Sequence, residues 1–135
     1  MKKALAFLLV VLSVFSVIGC SVMAAGIEPR WNNTSTATVS LVINDNGMAT
    51  VSLSCIGIGG VTTKITAETK LERKWGLFWL DVDEWTDVSN STNLVTSHYV
   101  QLSKKATYRA KTDYTVTGTG GANDTFTCEC DYTYD

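Results

Sequence analysis

The chain has 135 residues, of which 11 are basic and 13 acidic, with one histidine, one proline and four cysteines. This length suits one domain. The formal net charge of −2 argues against nucleic acid or an anionic membrane surface as partner, because both require a basic patch.

Residues 1–25 are predicted to be a secretory signal peptide. Lys2 and Lys3 form a short basic start, and residues 4–18 carry no charge. This run is shorter than the roughly 20 residues of a transmembrane helix, and it lacks the polar face of a globular helix. Small residues at Ala24 and Ala25 predict cleavage there, which leaves residues 26–135 as the mature domain.

A second processing site lies just upstream. The tetrad at residues 17–20, Val-Ile-Gly-Cys, resembles the lipobox of bacterial lipoproteins, in which the cysteine becomes the lipidated first residue. Cys20 is therefore the alternative mature start. Release predicts a secreted protein and lipidation predicts a cell-envelope lipoprotein, and in both cases the domain works outside the cytoplasm.

Cleavage after Ala24 leaves three cysteines, Cys55, Cys128 and Cys130. An odd number in an oxidising compartment predicts one disulfide and one spare thiol, which we expect to be buried. Cys128 and Cys130 point to the same face of a strand, so a bond between them would be strained. Cys55 can pair with either one.

The mature chain reads as a succession of strands, because β-branched and aromatic residues alternate with polar ones between recurring turn residues. The strongest hairpin signal is Asn-Asp-Asn-Gly at residues 44–47. Val51, Leu53, Ile65 and Tyr114 are expected to face the interior. Strands are predicted at residues 36–43, 49–55, 61–71, 94–102, 107–117 and 125–134. Residues 75–85 are predicted to form a hairpin or a bulged pair of strands turning near Gly76, and residues 87–93 a polar loop.

Seven or eight strands in about 100 residues predict an all-β fold, a single antiparallel β-sandwich of the immunoglobulin-like kind. A closed barrel is the competing architecture. Tyr108 follows a strand-to-strand corner, where its hydroxyl could bond back to the backbone as a tyrosine corner.

Four short motifs follow one another along the mature chain. They are Pro29-Arg30-Trp31-Asn32-Asn33 near its start, Thr-x-Ile-x-Ala at residues 63–67, the spaced residues Trp79, Val82 and Trp85, and Thr-Tyr-Arg at residues 107–109. In this order the motifs resemble those of small secreted proteins of Gram-positive, mostly gut-dwelling clostridia that carry a domain of unknown function. The resemblance implies a secreted β-sandwich and brings no activity and no site residues. Trp75, Phe78 and the Cys-x-Cys at residues 128–130 depart from that pattern.

Residues 74–79, Lys-Trp-Gly-Leu-Phe-Trp, predict a hairpin that carries several large apolar side chains. An exposed hairpin of this kind is a contact surface, and Trp75 and Phe78 are then the main partner contacts, with Trp79 and Trp85 beside them. The alternative is structural: Trp79, Val82 and Trp85 close one edge of the core while Trp75 and Phe78 cover an open strand.

Sites for metals, cofactors and catalysis are not expected. Calcium needs six to eight oxygens, and the acidic residues of segment 81–87 lack the spacing and the glycine of a calcium loop. His98 with Cys128 and Cys130 falls short of the four ligands of structural zinc. His98 is the only imidazole base, and the sequence contains no nucleophile elbow, so the protein is not expected to be an enzyme.

The sequence therefore predicts a monomeric, non-enzymatic binding module, secreted or on the cell surface, that contacts a protein or glycan through residues 75–85. The alternative is a structural or assembly component of the cell envelope, anchored by lipid at Cys20 or linked by a disulfide. A membrane is expected as partner only through such an anchor.

Overall fold

The computed structural model describes residues 20–21 and 31–135. The predicted signal segment, residues 1–25, lies outside this range apart from Cys20 and Ser21. The described residues form eight strands: β1 (Cys20–Ser21), β2 (Thr34–Ile43), β3 (Met48–Gly57), β4 (Thr62–Trp75), β5 (Phe78–Ser89), β6 (Asn93–Gln101), β7 (Ala106–Gly118) and β8 (Asp124–Tyr134). Across these ranges we find no helix of the length and hydropathy needed to cross a membrane.

The strands form two four-stranded sheets. The first has the order β1-β2-β3-β6 and the second the order β5-β4-β7-β8. Every neighbouring pair is antiparallel. Cleavage after Ala24 would remove β1, whereas a start at Cys20 would retain it, and the seven long strands complete the sandwich in either case.

Alternating side chains from both sheets fill the space between them, as the period-two pattern predicts. Val51, Leu53, Ile65 and Tyr114 are each at most 1% exposed, so the predicted inward face is confirmed. The Tyr114 hydroxyl crosses the core and donates to the Thr38 carbonyl of the facing sheet, at 2.8 Å. The two sheets are thus joined by a hydrogen bond as well as by apolar packing.

The strand order is that of an immunoglobulin-like sandwich. In the lettering of that fold, β2, β3 and β6 correspond to strands A, B and E, and β5, β4, β7 and β8 to strands C′, C, F and G. The predicted tyrosine corner is confirmed. Tyr108, near the start of β7, is buried, and its hydroxyl donates to the Lys104 carbonyl at 2.6 Å. Burial raises the pKa of Tyr108, so the hydroxyl stays protonated as a donor.

Two predicted boundaries are wrong. The turn predicted near Gly76 and a bulge in the strand pair are present, but the bounds differ. Trp75 ends β4, whose pairing with β5 continues from the turn down to the pair Ile65–Ser89. The predicted loop 87–93 shrinks to residues 90–92, because residues 87–89 pair with β4. The polar side chains of this segment predicted a loop. They face solvent or the rim of the sandwich, while the backbone of residues 87–89 hydrogen-bonds to β4.

Candidate functional site

The most exposed apolar group of the described residues is the turn between β4 and β5. We call residues 75–78 the hairpin tip. Trp75 pairs with Phe78 across the turn, and Gly76 adopts a φ of +61°, which an L side chain rarely takes. Trp75 and Phe78 are each 67% exposed and Leu77 is 94% exposed. Three large apolar side chains therefore stand next to one another in solvent.

The sheet supports this hairpin only part of the way. The pairing of β4 with β7 stops at Arg73 and Tyr108, so beyond that level β4 is paired only with β5. A β-bulge between Leu71 and Glu72 leaves Val82 without a cross-strand partner. Bulges increase the local twist and bend of a strand. The tip therefore projects from the end of the second sheet.

Trp79 braces the base of the hairpin from outside. The Arg109 guanidinium lies 4.1 Å from the centroid of the Trp79 ring. Its Nε and Nη2 donate to Oε1 of the buried Glu72 at 3.2 and 3.0 Å. A cation–π contact is stronger when the cation is partly desolvated, as here. Trp79 is half-buried and is held by this stack.

Trp85 lies on the inner side, at the open edge where β5 approaches β6. Its ring stacks on His98 with centroids 4.7 Å apart and an interplanar angle of 6°. His98 Nε2 lies 2.6 Å from Oδ2 of Asp87. These three side chains come from both sheets and close the sandwich edge between them. His98 is thus one member of a packed cluster at the edge of the sandwich.

The structure tests only the structural interpretation of these side chains, and contact with a partner stays a prediction. Trp79 stacks on Arg109 and is not among the side chains packed against the core. The structural alternative holds for Trp85, which packs against the core. It is wrong for Val82, which is 37% exposed at the bulge, and for Trp75 and Phe78, which protrude instead of covering a strand.

Several basic residues share the end of the sandwich from which the hairpin tip projects, which the net charge did not reveal. Arg73 and Lys74 immediately precede Trp75 on β4. The loop before β7 brings Lys104 and Lys105 to the same end, because the tyrosine corner ties the Lys104 carbonyl to Tyr108, the cross-strand partner of Arg73. Lys74, Lys104 and Lys105 are all exposed.

The acidic segment does not converge on a point. Asp81 and Glu84 face outward and Asp87 inward, because they pair with Glu72, Lys70 and Ala67 of β4. Within residues 31–135 no three carboxylate, histidine or cysteine side chains are arranged to hold a metal ion. A depression of about 400 Å³ on the outer face of the second sheet is lined by Glu68, Lys70, Glu84 and Asp113, among others. It is open and charged, unlike the mostly apolar pockets that enclose small ligands.

Cys55, Cys128 and Cys130 are free and buried. The burial expected of the spare thiol therefore applies to all three sulfurs. Burial, and to a lesser degree Asp124, raises the pKa of Cys55 to about 12. Burial, and to a lesser degree Cys55, raises the pKa of Cys128 to about 12. Cys55, Cys128 and Cys130 belong to the same buried core cluster, and the disulfide between Cys55 and one of the other two stays a prediction.

One polar cluster was not anticipated from the sequence. The Asp124 carboxylate accepts hydrogen bonds from the backbone N–H groups of Asn32 and Asn33, both at 2.8 Å, and from Thr34 Oγ1 at 2.7 Å. The fully buried Asn33 side chain donates to the Ala122 carbonyl and accepts from the Gly120 N–H. We call this group the N-terminal clamp, since it ties the start of β2 to the β7–β8 loop.

The clamp explains part of the motif on which the family resemblance rests. Asn33 belongs to the clamp, and the Trp31 ring stacks on Phe126 with centroids 4.7 Å apart. The only sequence signal for the clamp was the glycine-rich loop at residues 118–121, where a Cβ on Gly120 would meet the Asn32 carbonyl oxygen. These residues connect the start of β2 to the β7–β8 loop and to β8.

Comparison with known proteins gives no match to this chain, whether by family model, by curated sequence or by solved structure.

Proposed function

We propose that this protein is a non-enzymatic binding module, secreted or held on the cell surface, that contacts a component of a cell surface through its hairpin tip. The observation that carries the proposal is the exposure of Trp75, Leu77 and Phe78 side by side at the end of a braced hairpin. The sequence suggested a protein or a glycan as the partner.

Exposed aromatic side chains in one place carry a free-energy cost in water that burial against a partner removes. Burying apolar surface yields about 25 cal/mol per Å², and a Trp or Phe side chain buries about 150–250 Å². The stack of Trp79, Arg109 and Glu72 holds the hairpin in place before contact, so little conformational entropy is lost on binding. Such pre-organised aromatic residues are typical of energetic hot spots.

The chemistry available in the described residues supports binding rather than catalysis. His98 is the sole imidazole, and its hydrogen bond goes to Asp87. Among residues 31–135 no serine, threonine or cysteine makes a hydrogen bond to this ring, as a nucleophile activated by histidine would. The resemblance to secreted clostridial proteins and the signal-like residues 1–25 support an extracellular location.

The alternative, an assembly component of the cell envelope, receives less support. A disulfide to another chain needs an accessible sulfur, and Cys55, Cys128 and Cys130 are all buried. Pairing through the exposed edge of β5 is opposed by Asp83 and Glu84, since charges on an edge strand discourage such contacts. A lipid anchor at Cys20 is compatible with both functions.

Binding of the mature protein to intact cells of the source organism tests the proposal. The Trp75→Ala/Phe78→Ala variant is expected to bind at least tenfold more weakly, because it loses the two largest exposed side chains. The matched control is Val88→Ala/Val95→Ala, which removes two exposed apolar side chains, 52% and 72% exposed, far from the tip. Unchanged binding of a folded tip variant, or an equal loss in the control, would refute the proposal.

A further inference from the structure

We infer that the surface component contacted by the hairpin tip is a lipid bilayer with anionic headgroups. This inference rests on the proposed function and names its ligand class. It contradicts the expectation drawn from net charge, because topology gathers basic residues that the sequence scatters.

The first observation is the shape and composition of the tip. It is a convex turn with Trp75, Leu77 and Phe78 pointing into solvent, not a groove or a flat face. A projecting apolar turn fits a deformable medium. Tryptophan in particular is enriched where the hydrocarbon of a membrane meets its headgroups.

The second observation is the backbone of the hairpin. Trp75 pairs with Phe78 and Lys74 pairs with Trp79, so the two strands satisfy each other up to the turn. Backbone groups left without partners are costly in hydrocarbon. A paired hairpin can therefore place its tip at the depth of the headgroups without exposing many such groups, while the outer edge of β5 stays in water.

The third observation is charge complementarity. Four of the eight lysines and arginines of residues 31–135 lie at the tip end: Arg73, Lys74, Lys104 and Lys105. The nearby carboxylate of Asp81 lies 4.0 Å from the Lys70 ammonium, on the outer face of the sheet and further from the turn.

Further acidic residues share this end of the sandwich, among them Asp45 and Asp135. Asp45 lies in the turn between β2 and β3. The Leu102 N–H donates a hydrogen bond of 2.8 Å to the Gly47 carbonyl of this turn, so the turn lies beside the loop that carries Lys104 and Lys105. Asp135 follows Tyr134, over whose ring Lys105 lies at 5.6 Å from the centroid. The aspartates therefore flank the lysine loop, and the two residues preceding Trp75 on its own strand are both basic.

The arrangement predicts the geometry of contact. With the tip at headgroup depth, Lys74 stands one residue and Arg73 two residues behind it, at the level of the phosphates. The exposed Lys74 side chain can reach the surface there while its apolar stem stays covered. Each Lys or Arg close to an anionic surface contributes about 1 kcal/mol, which corresponds to roughly fivefold in affinity.

Co-sedimentation of the mature protein with vesicles tests the inference. At low ionic strength we expect binding to phosphatidylcholine vesicles that contain about 30% phosphatidylglycerol, and much weaker binding to pure phosphatidylcholine. Trp75→Ala/Phe78→Ala should weaken binding at least tenfold. Lys74→Ala/Lys104→Ala should weaken it about 25-fold at low salt, and the difference should shrink in high salt.

The control for charge is Lys64→Ala/Lys111→Ala, which removes the same two charges away from the tip and should change binding less than about twofold. The control for apolar exposure is again Val88→Ala/Val95→Ala. Equal binding to neutral and anionic vesicles, or an equal loss in the Lys64/Lys111 variant, would overturn the inference.

The two proposals fail in distinguishable ways. If the protein ignores anionic vesicles while Trp75→Ala/Phe78→Ala still loses binding to cells, the lipid inference is wrong and the partner is a protein or glycan. If the tip variant binds cells and vesicles as the unmodified protein does, both proposals are wrong.

Discussion

Replacing Asp124 by alanine tests how much of the fold depends on the N-terminal clamp. Its carboxylate accepts three hydrogen bonds, and the donors at Asn33 and Thr34 are buried. A hydrogen bond to a charged group contributes about 1.5–3 kcal/mol, and a buried donor left without an acceptor costs about 1–3 kcal/mol. The third donor, at Asn32, is only part-buried, so water can replace the carboxylate there.

Counting only the two buried donors, we expect Asp124→Ala to lower the free energy of unfolding by about 3–5 kcal/mol. Thr34→Val removes a single one of these bonds and should cost about 1.5–3 kcal/mol. Urea unfolding followed by tryptophan fluorescence measures both, with the m-value checked for constancy.

The matched control is Asp113→Ala. Asp113 accepts a hydrogen bond from Thr127 Oγ1 on the exposed face of the same sheet, where water can replace the carboxylate, and its loss should cost less than about 0.5 kcal/mol. If Asp124→Ala costs no more than this control, the clamp does not stabilise the fold and the reasoning from buried donors is wrong.

Three further predictions concern the corner, the hairpin brace and the thiols. Tyr108→Phe should lower the free energy of unfolding by about 1 kcal/mol through loss of its hydrogen bond, and an unchanged urea midpoint would show that the corner is not stabilising. Arg109→Ala should cost about 2 kcal/mol and speed trypsin cleavage after Lys74, because it removes the contact with Trp79 and leaves a buried carboxylate unpaired; cleavage at the original rate would contradict the bracing role. Burial raises the pKa of the reduced Cys55 and Cys128 from 9.0 to about 12. The contribution of these protonated thiols to the free energy of unfolding is therefore complete below pH 9 and is lost as the pH rises toward 12. At pH 10 the free energy of unfolding should have fallen by about 1 kcal/mol for each of the two thiols. A Cys55→Ala/Cys128→Ala variant with the same decline between pH 8 and 10 would contradict this assignment.

The thiol prediction also separates the two redox forms. A disulfide has no proton to lose, so protein in which these two cysteines are paired should lack this part of the alkaline decline. Unfolding measured with and without reductant at pH 8 and 10, together with thiol mapping by mass spectrometry, would identify the form present.

Strand positions and the buried face followed from the sequence because they depend on short-range physics. In β2 and β3 the alternation of apolar and polar residues, with an Asn-Gly turn between them, specifies one inward face and one register. Tyr108 was recognisable for a similar reason, since a tyrosine corner joins residues only four positions apart.

Contacts between residues distant along the chain depended on the tertiary structure. Asp124 is 90 positions from Thr34, and nothing local marks the two as partners. Net charge likewise hides the basic residues at one end of the sandwich, because Lys74 and Lys104 come to the same end only when β4 pairs with β7.

The sequence by itself determined that an all-β domain forms, because period-two burial leaves one way to remove the apolar face from water. It could not determine where Trp75 and Trp85 would lie, since both belong to one aromatic run and share the same local preferences. Pairing in the second sheet decided that point: β7 supports β4 only as far as Arg73, so Trp85 falls within the sandwich and Trp75 beyond its end. The surface available for binding is therefore a consequence of strand length and register.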